Sequence, residues 1–280
     1  MVSLGVFKFD KVEDICLHNI YDGGDFKIIW LNGKCGLWSV NLNKPLLYCQ
    51  YDSFHPIVIN DSYIGEYVNY FKVGVSSESD GIIRYGIFDV KRNCFIIGCD
   101  YFSIEPIISL EKVFGFFVTK QENYKLGILD KDGKIICPIV FDGHLELKSF
   151  DDSTPRQEKL FVIRDEDWQG KPLATLYFVL KKEKGYQIFN QRGEAISDSS
   201  YSSVKMIDTG RHHHSDYGGW IRRDVIFIVC FEELYGVISE TGKELVPCSY
   251  ETIGYDPHMD VMTMKKGGDY SVYRINHDAL

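Results

Sequence analysis

Apolar residues in this chain come in short runs separated by turn residues, and one arrangement of them returns at intervals along the sequence. It is clearest at residues 125–142, KLGILDKDGKIICPIVFD, where Gly127-Ile128-Leu129 and Ile135-Ile136 flank Lys131-Asp132-Gly133-Lys134. An Asp-Gly step supplies the φ > 0 positions that a tight hairpin turn requires, so this stretch predicts two antiparallel strands. Phe141-Asp142 ends the unit. With Gly127 as a register mark, the equivalent positions are Gly36, Gly86, Gln187 and Gly236. After each mark come two apolar residues and one polar: Leu37-Trp38-Ser39, Ile87-Phe88-Asp89, Ile128-Leu129-Asp130, Ile188-Phe189-Asn190 and Val237-Ile238-Ser239. Turn residues follow at Asn41 and Asn43, Arg92-Asn93, Asp132-Gly133, Arg192-Gly193 and Thr241-Gly242. The second strand then closes on Tyr51, Tyr101, Phe141, Tyr201 or Tyr250, by subtraction 15, 15, 14, 14 and 14 residues after its mark. Constant internal spacing with variable gaps between units is the signature of a repeat array.

The gaps hold further strand-like segments rich in β-branched and aromatic residues, at 26–30, 67–73, 112–118, 159–163, 176–180 and 225–230. Each unit therefore has at least three strands, and successive marks lie 50, 41, 60 and 49 residues apart by subtraction. A propeller blade of three or four strands takes roughly 40 to 50 residues. Residues 261–264 and 270–275 offer opening strands of a sixth unit, with Ser271 at the mark, but no closing strand follows. Residues 2–12, VSLGVFKFDKV, resemble an orphan closing strand, with Phe9-Asp10 matching Phe141-Asp142. The expectation is an all-β fold over residues 1–280 in one domain. It would be a six-bladed β-propeller closed by the N-terminal strand completing the C-terminal blade, which removes exposed sheet edges. The alternative is an open β-repeat spiral with polar terminal caps. The mark glycines predict a packing role, because glycine inside a strand signals close approach of another backbone or ring.

The unit also resembles the repeat of the WG-repeat (KWG-repeat) proteins: an aromatic, glycine, two apolar residues and Asp, then a Gly turn, apolar residues, Pro and Tyr-Asp. The fit is closest at 126–142 and at 235–251, YGVISETGKELVPCSYE. No Trp precedes a mark glycine, Cys35 and Leu126 stand at the aromatic position, and Gln187 replaces Gly. The resemblance spans most of the chain and implies a β-repeat interaction scaffold that brings no catalytic residues with it.

Composition narrows the function. Hydrophobic residues make up 45% and aromatics 14%, enough to exclude disorder. The net charge of −9 and pI near 5.4 argue against nucleic acid and against anionic membrane, both of which are bound through clustered Lys and Arg. They favour a protein partner with a basic surface. No stretch reaches the roughly 18 apolar residues of a membrane span, and MVSLGVFKFDKVED alternates and carries acids where a signal peptide needs an apolar segment. A cytoplasmic chain, monomeric when free, is expected. Eight cysteines without a Cys-x-x-Cys pair read as buried core thiols in a reducing compartment.

Candidate chemistry lies outside the repeat. The polar stretch 208–220, DTGRHHHSDYGGW, holds His212, His214 and Asp216, residue types that ligate divalent metals. Adjacent histidines on a loop rarely converge on one ion, so a solvated loop is the better reading and no metal or other cofactor is assigned. The same region presents Arg211, His213, Asp216, Tyr217, Trp220 and Arg222, and aromatics with Arg are the types enriched at interface hot spots. Asp165-Glu166-Asp167-Trp168, at the tip of a hairpin over 159–182, forms an acidic, aromatic knob suited to a basic partner. No Gly-x-Ser-x-Gly, Walker-type loop or His-Glu-x-x-His occurs, so no catalytic residue is assigned. The sequence thus points to a non-enzymatic protein-binding scaffold, an inhibitor or immunity-type protein that neutralises a toxin or effector. The alternatives are an enzyme with its site at a central channel and a binder of carbohydrate or another small ligand.

Overall fold

Four of the five predicted units fold as an antiparallel hairpin of strands joined to further strands on one side, and the fifth, marked by Gln187, closes through isolated antiparallel bridges. The computed structural model describes residues 1–15, 26–61, 65–109, 112–144, 161–166, 172–213, 222–256 and 258–275. Two compact units are present, Met1–Ile139 and Val140–Leu280.

The first unit opens with a hairpin of β1 (Val2–Leu4) and β2 (Phe7–Phe9). Three up-and-down sheets follow. The first holds β3 (Lys11–Asp14), β4 (Phe26–Leu31), β5 (Lys34–Ser39) and β6 (Lys44–Tyr51). The second holds β7 (Ser53–Asp61), β8 (Gly65–Ser76), β9 (Ile83–Asp89) and β10 (Cys94–Tyr101). The third holds β11 (Ser103–Ser109), β12 (Lys112–Thr119), β13 (Leu126–Asp130) and β14 (Ile135–Phe141).

In the second unit, β15 (Gly143–His144) and β16 (Phe161–Glu166) both pair with β17 (Pro172–Lys182), which pairs in turn with β18 (Gly185–Asn190). Next come β19 (Ser203–His213), β20 (Arg222–Phe231), β21 (Leu234–Ser239) and β22 (Glu244–Tyr250). The last sheet has three strands, β23 (Thr252–Asp256), β24 (Val261–Lys266) and β25 (Asp269–Arg274). Sequential four-stranded meanders of this kind are propeller-type blades, and the all-β repeat expected from the sequence is present.

The apolar pair after each mark is explained by burial on both faces. Ile87 enters a cluster with Ile104, Phe116 and Leu129 of the next sheet, whereas Phe88 enters one with Leu37, Tyr51 and Phe71, so β9 is covered on either side. In the second unit, Val225, Phe227 and Val229 of β20 pack with Tyr177, Val179 and Ile188, while Ile226 and Ile228 pack with Met262 and Met264. Successive side chains of a strand point to opposite faces, so two consecutive apolar residues are what a strand between two sheets needs.

The polar third residue caps the following turn. Asp89 accepts from the Lys91 and Arg92 amides at 2.8 and 3.0 Å, Asp130 from Asp132 and Lys134, Asn190 from Arg192 and Glu194, and Ser239 from Thr241 and Lys243. The mark glycines answer to close approach, as expected. A Cβ on Gly86 would lie 2.6 Å from Ile97 O, on Gly127 2.8 Å from Ile139 Cα, and on Gly236 2.7 Å from Val246 O. A Cβ on Gly36 would lie 2.8 Å from the Tyr48 carbonyl carbon. At Gly36, Gly86 and Gly236 the register of the fourth strand shifts opposite the glycine, so the missing side chain makes room for a bulge. Gln187 is the control within the same chain: opposite it the fourth strand is reduced to isolated bridges, Tyr186 with Tyr201 and Phe189 with Ala195.

An acid follows the closing aromatic for an equally local reason. The Asp52 amide donates to Gly74 O at 2.8 Å, and its carboxylate accepts from the Ser76 amide at 2.6 Å. Asp142 repeats both bonds with Lys181 O and Glu183 N, and Glu251 repeats them with Lys265 O and Gly267 N. Asp10 does so too, with Trp30 O and Asn32 N, so Phe9-Asp10 is a true copy of the unit's ending. The strand partner expected for this copy is different, however. The sequence predicts one strand over residues 2–12 completing the C-terminal blade, whereas β2 pairs with β1 and Lys11–Asp14 pair with β4. Gly5, at φ 58 ahead of Val6, supplies the two-residue turn that folds β2 back on β1. Phe7 and Phe9 then stand edge-on to Trp38, with ring centroids 5.6 and 6.0 Å away.

Candidate partner-binding cleft

The turn joining second and third strands differs in length between the sheets. In the first, fourth, fifth and sixth sheets it has two residues, as read from the pairs Leu31 with Lys34, Lys182 with Gly185, Phe231 with Leu234 and Lys266 with Asp269. In the second and third sheets Ser76 pairs with Ile83 and Thr119 with Leu126, leaving the longer turns 77–82 and 120–125. Each is locally braced. Ser77 N bonds to Ile82 O at 3.0 Å and Lys120 N to Lys125 O at 3.2 Å.

These two turns border a cleft of about 730 Å³ in the first unit, lined by Asp80, Arg84, Asp100, Tyr101, Lys120, Gln121, Glu122 and Tyr124. Arg84 organises it. Its guanidinium donates to both Asp80 oxygens, at 3.2 and 2.5 Å, and to Gln121 Oε1 at 3.3 Å, which ties one turn to the other. The paired Arg84 holds the Asp80 carboxyl down to about 2, and Asp80, Glu122 and Asp100 together keep the guanidinium strongly protonated. Burial and the Asp100 charge push the Tyr101 phenol up. The side chains of Asp100, Glu122 and Lys120 make no hydrogen bond or ion pair among the described residues.

One departure from the repeat shapes the rim. Phe102 occupies the position held elsewhere by Asp10, Asp52, Asp142 and Glu251. Its amide keeps the repeat's bond, to Thr119 O at 2.9 Å, but its ring lies edge-on to Tyr124 at 5.4 Å and 87°. Tyr124 is 64% exposed and has φ 52, a backbone conformation that non-glycine residues adopt only where neighbours impose it.

The residues singled out from sequence lie elsewhere. Asp165 and Glu166 end β16, opposite Leu173 and Pro172, so the hairpin is present; Asp167 and Trp168 fall outside the described residues. Arg211 and His213 belong to β19 and Arg222 begins β20, with His213 opposite Arg222. The polar stretch is therefore strand through His213. A register shift between Asp208 and His212 accommodates this continuation, whose polar residues carry no strand signal of their own. Asp216, Tyr217 and Trp220, and His214 with them, lie outside the described residues. Among the described residues no group of three or more His, Cys, Asp or Glu is placed to hold a metal ion.

Sequence reasoning passed over the cleft. Its signal was available in turn length and in Phe102, which puts an apolar residue where other units carry an acid, or Ser202 in the unit closed by Tyr201.

No protein-family model matches the chain, and no curated protein does. Among solved structures, one titled as the eukaryotic initiation factor aligns over 92% of this chain at 7% identity and a TM-score of 0.35, and the alignment spans 62% of that chain. The Cps50 (Swd1) β-propeller domain of Myceliophteria thermophila aligns over 92% of this chain and 95% of its own, at 10% identity and a TM-score of 0.25. The β-propeller domain of the Trilobed protease from Pyrococcus furiosus aligns over 89% and 94%, at 10% identity and a TM-score of 0.27. The architecture rests on the strand pairing described above. No helix is long and apolar enough to cross a membrane among the described residues.

Proposed function

We propose that the protein is a non-enzymatic, WG-repeat-like scaffold that binds a protein partner with a basic surface. In the finer form of this reading it is a cytoplasmic inhibitor or immunity-type protein that neutralises a toxin or effector. The observation that carries the reading is the division between repeated and unrepeated residues. The mark glycines, apolar pairs, turn caps and linking acids are committed to packing and hydrogen bonding in sheet after sheet. Acids and aromatics without such duties line the cleft that the enlarged turns border, where Asp100, Glu122 and Tyr124 face solvent. A net charge of −9 adds long-range attraction for a basic surface.

The test is capture on the immobilised full chain, followed by titration of the identified partner against salt. The reading expects a basic protein whose affinity falls steadily between low and physiological ionic strength, because solvent-exposed charge pairs are screened over roughly 10 Å. Co-expression should relieve any toxicity the partner has. Retention of a metabolite in place of a protein, or a partner whose affinity is indifferent to salt, would overturn it.

A further inference from the structure

The cleft carries this reading further, to the kind of side chain the partner presents. Its lining holds three carboxylates, Asp80, Asp100 and Glu122, against two bases, Arg84 and Lys120. Arg84 and Asp80 neutralise one another through their paired hydrogen bonds. What is left is Asp100 and Glu122 against Lys120, an excess of one negative charge in a concave site walled by Tyr101 and Tyr124. One cation restores neutrality. A guanidinium matches the walls as well as the charge, since it is planar, donates to two carboxylates at once and lies favourably against a tyrosine ring.

We infer that the cleft receives a single arginine side chain of the protein partner, with Asp100 and Glu122 as its acceptors and Tyr124 as its stacking face. The inference rests on the proposed binding of a basic protein and assigns that binding to one place. Three features suit the site to the task. The Arg84–Gln121 bond holds the two turns together, so the walls are in place before the partner arrives. Phe102 supports the Tyr124 ring from the side while leaving it 64% exposed. The acceptors make no hydrogen bond or ion pair among the described residues, so an incoming guanidinium breaks none.

The experiment is backbone-amide NMR of the isotope-labelled full chain, titrated with acetyl-Gly-Arg-Gly-amide and separately with its citrulline counterpart, which has the same shape and no charge. The arginine peptide should give saturable shifts confined to residues 80–84, 100–102 and 120–125, with a Kd on the order of millimolar, as suits a few exposed contacts. The citrulline peptide should give none at the same concentration. A variant carrying Asp100→Asn and Glu122→Gln should weaken the arginine peptide about fivefold, the worth of two exposed ion pairs. Lys120→Gln, which removes the like charge, should tighten it about twofold on the same scale. Unchanged spectra away from the cleft establish that both variants fold. Equal shifts from citrulline, undiminished binding by the double variant, or the absence of saturable shifts would overturn the assignment. If the arginine peptide instead shifts amides in 161–182 or 203–230, the cleft is wrong while the basic-partner reading survives. Failure of the capture experiment would remove that reading itself.

Discussion

Gly36→Ala is the sharpest probe of the repeat. The substitution adds one methyl group inside a four-stranded sheet, 2.8 Å from the Tyr48 carbonyl carbon and 2.9 Å from Cys49 N, with Leu47 O also inside contact distance. All three neighbours are backbone atoms of the bulged β6, so no side chain can rotate away and the strand itself must move. Overpacking of this kind costs typically 1 to 3 kcal/mol, which exceeds the ~0.4 to 1 kcal/mol gained by restricting the unfolded chain. A net loss of about 1 to 2 kcal/mol is expected. Urea unfolding followed by tryptophan fluorescence reads it directly, because Trp38 is buried in the same strand and Trp30 pairs with Cys35. With a slope of roughly 1 to 3 kcal/mol per molar, the midpoint should fall by about 0.3 to 2 M. Gln187→Ala, at the mark whose fourth strand has drawn away, should shift it by the equivalent of about 0.5 kcal/mol or less. An unchanged midpoint for Gly36→Ala, or an equal shift for Gln187→Ala, would refute the explanation of the mark glycines.

Three further outcomes follow from the same contacts. Asp52 accepts from Ser76 N, Ser76 Oγ and Lys34 Nζ, the Lys34 bond foremost in holding its carboxyl below the ordinary value. Its stabilisation is present above the unfolded value of about 4 and lost as pH falls through the lower folded value. Asp52→Asn should therefore cost about 1 to 3 kcal/mol at pH 7 and progressively less below pH 4, and a gap in urea midpoint that stays constant with pH would contradict this. Asp89 is buried and caps its turn, so Asp89→Ala should lose about 1 to 2 kcal/mol in the same assay while Asp89→Asn, which keeps the acceptor, loses less. Burial pushes the Cys35 thiol up to about 11 and Cys137 up to about 12, whereas Cys94 is exposed. Among the described cysteines, iodoacetamide at pH 8 should label Cys94 first, and early labelling of Cys137 in native protein would sink the assigned burial.

The repeat was readable because its rules are local. A mark glycine, two apolar residues, a polar cap and an aromatic-acid ending each do one job within a few residues, and each left its trace at Gly127, Ile128-Leu129, Asp130 and Phe141-Asp142. The acid's partner was not readable, since Asp52 meets Ser76 across a sheet and nothing near either residue announces the other. The N-terminal segment misled for the opposite reason. Phe9-Asp10 carries the ending and makes its hydrogen bonds, but Gly5-Val6 inserts a turn that splits the expected strand in two. The cleft escaped notice because its residues come from three places, 80–84, 100–101 and 120–124, and are ordinary surface types in each. Only pairing of Ser76 with Ile83 and of Thr119 with Leu126 brings the long turns into view as a set.

The central claim is that the repeated residues hold the scaffold and the unrepeated ones meet the partner. Hydrogen exchange of the full chain, alone and with the captured partner, tests it most directly. The account predicts new protection in the turns 77–82 and 120–125, together with 165–168 and 211–222 if those segments share the interface, and none in the turns capped by Asp89, Asp130 and Ser239. Protection centred on those capped turns, with the enlarged turns unaffected, would contradict it.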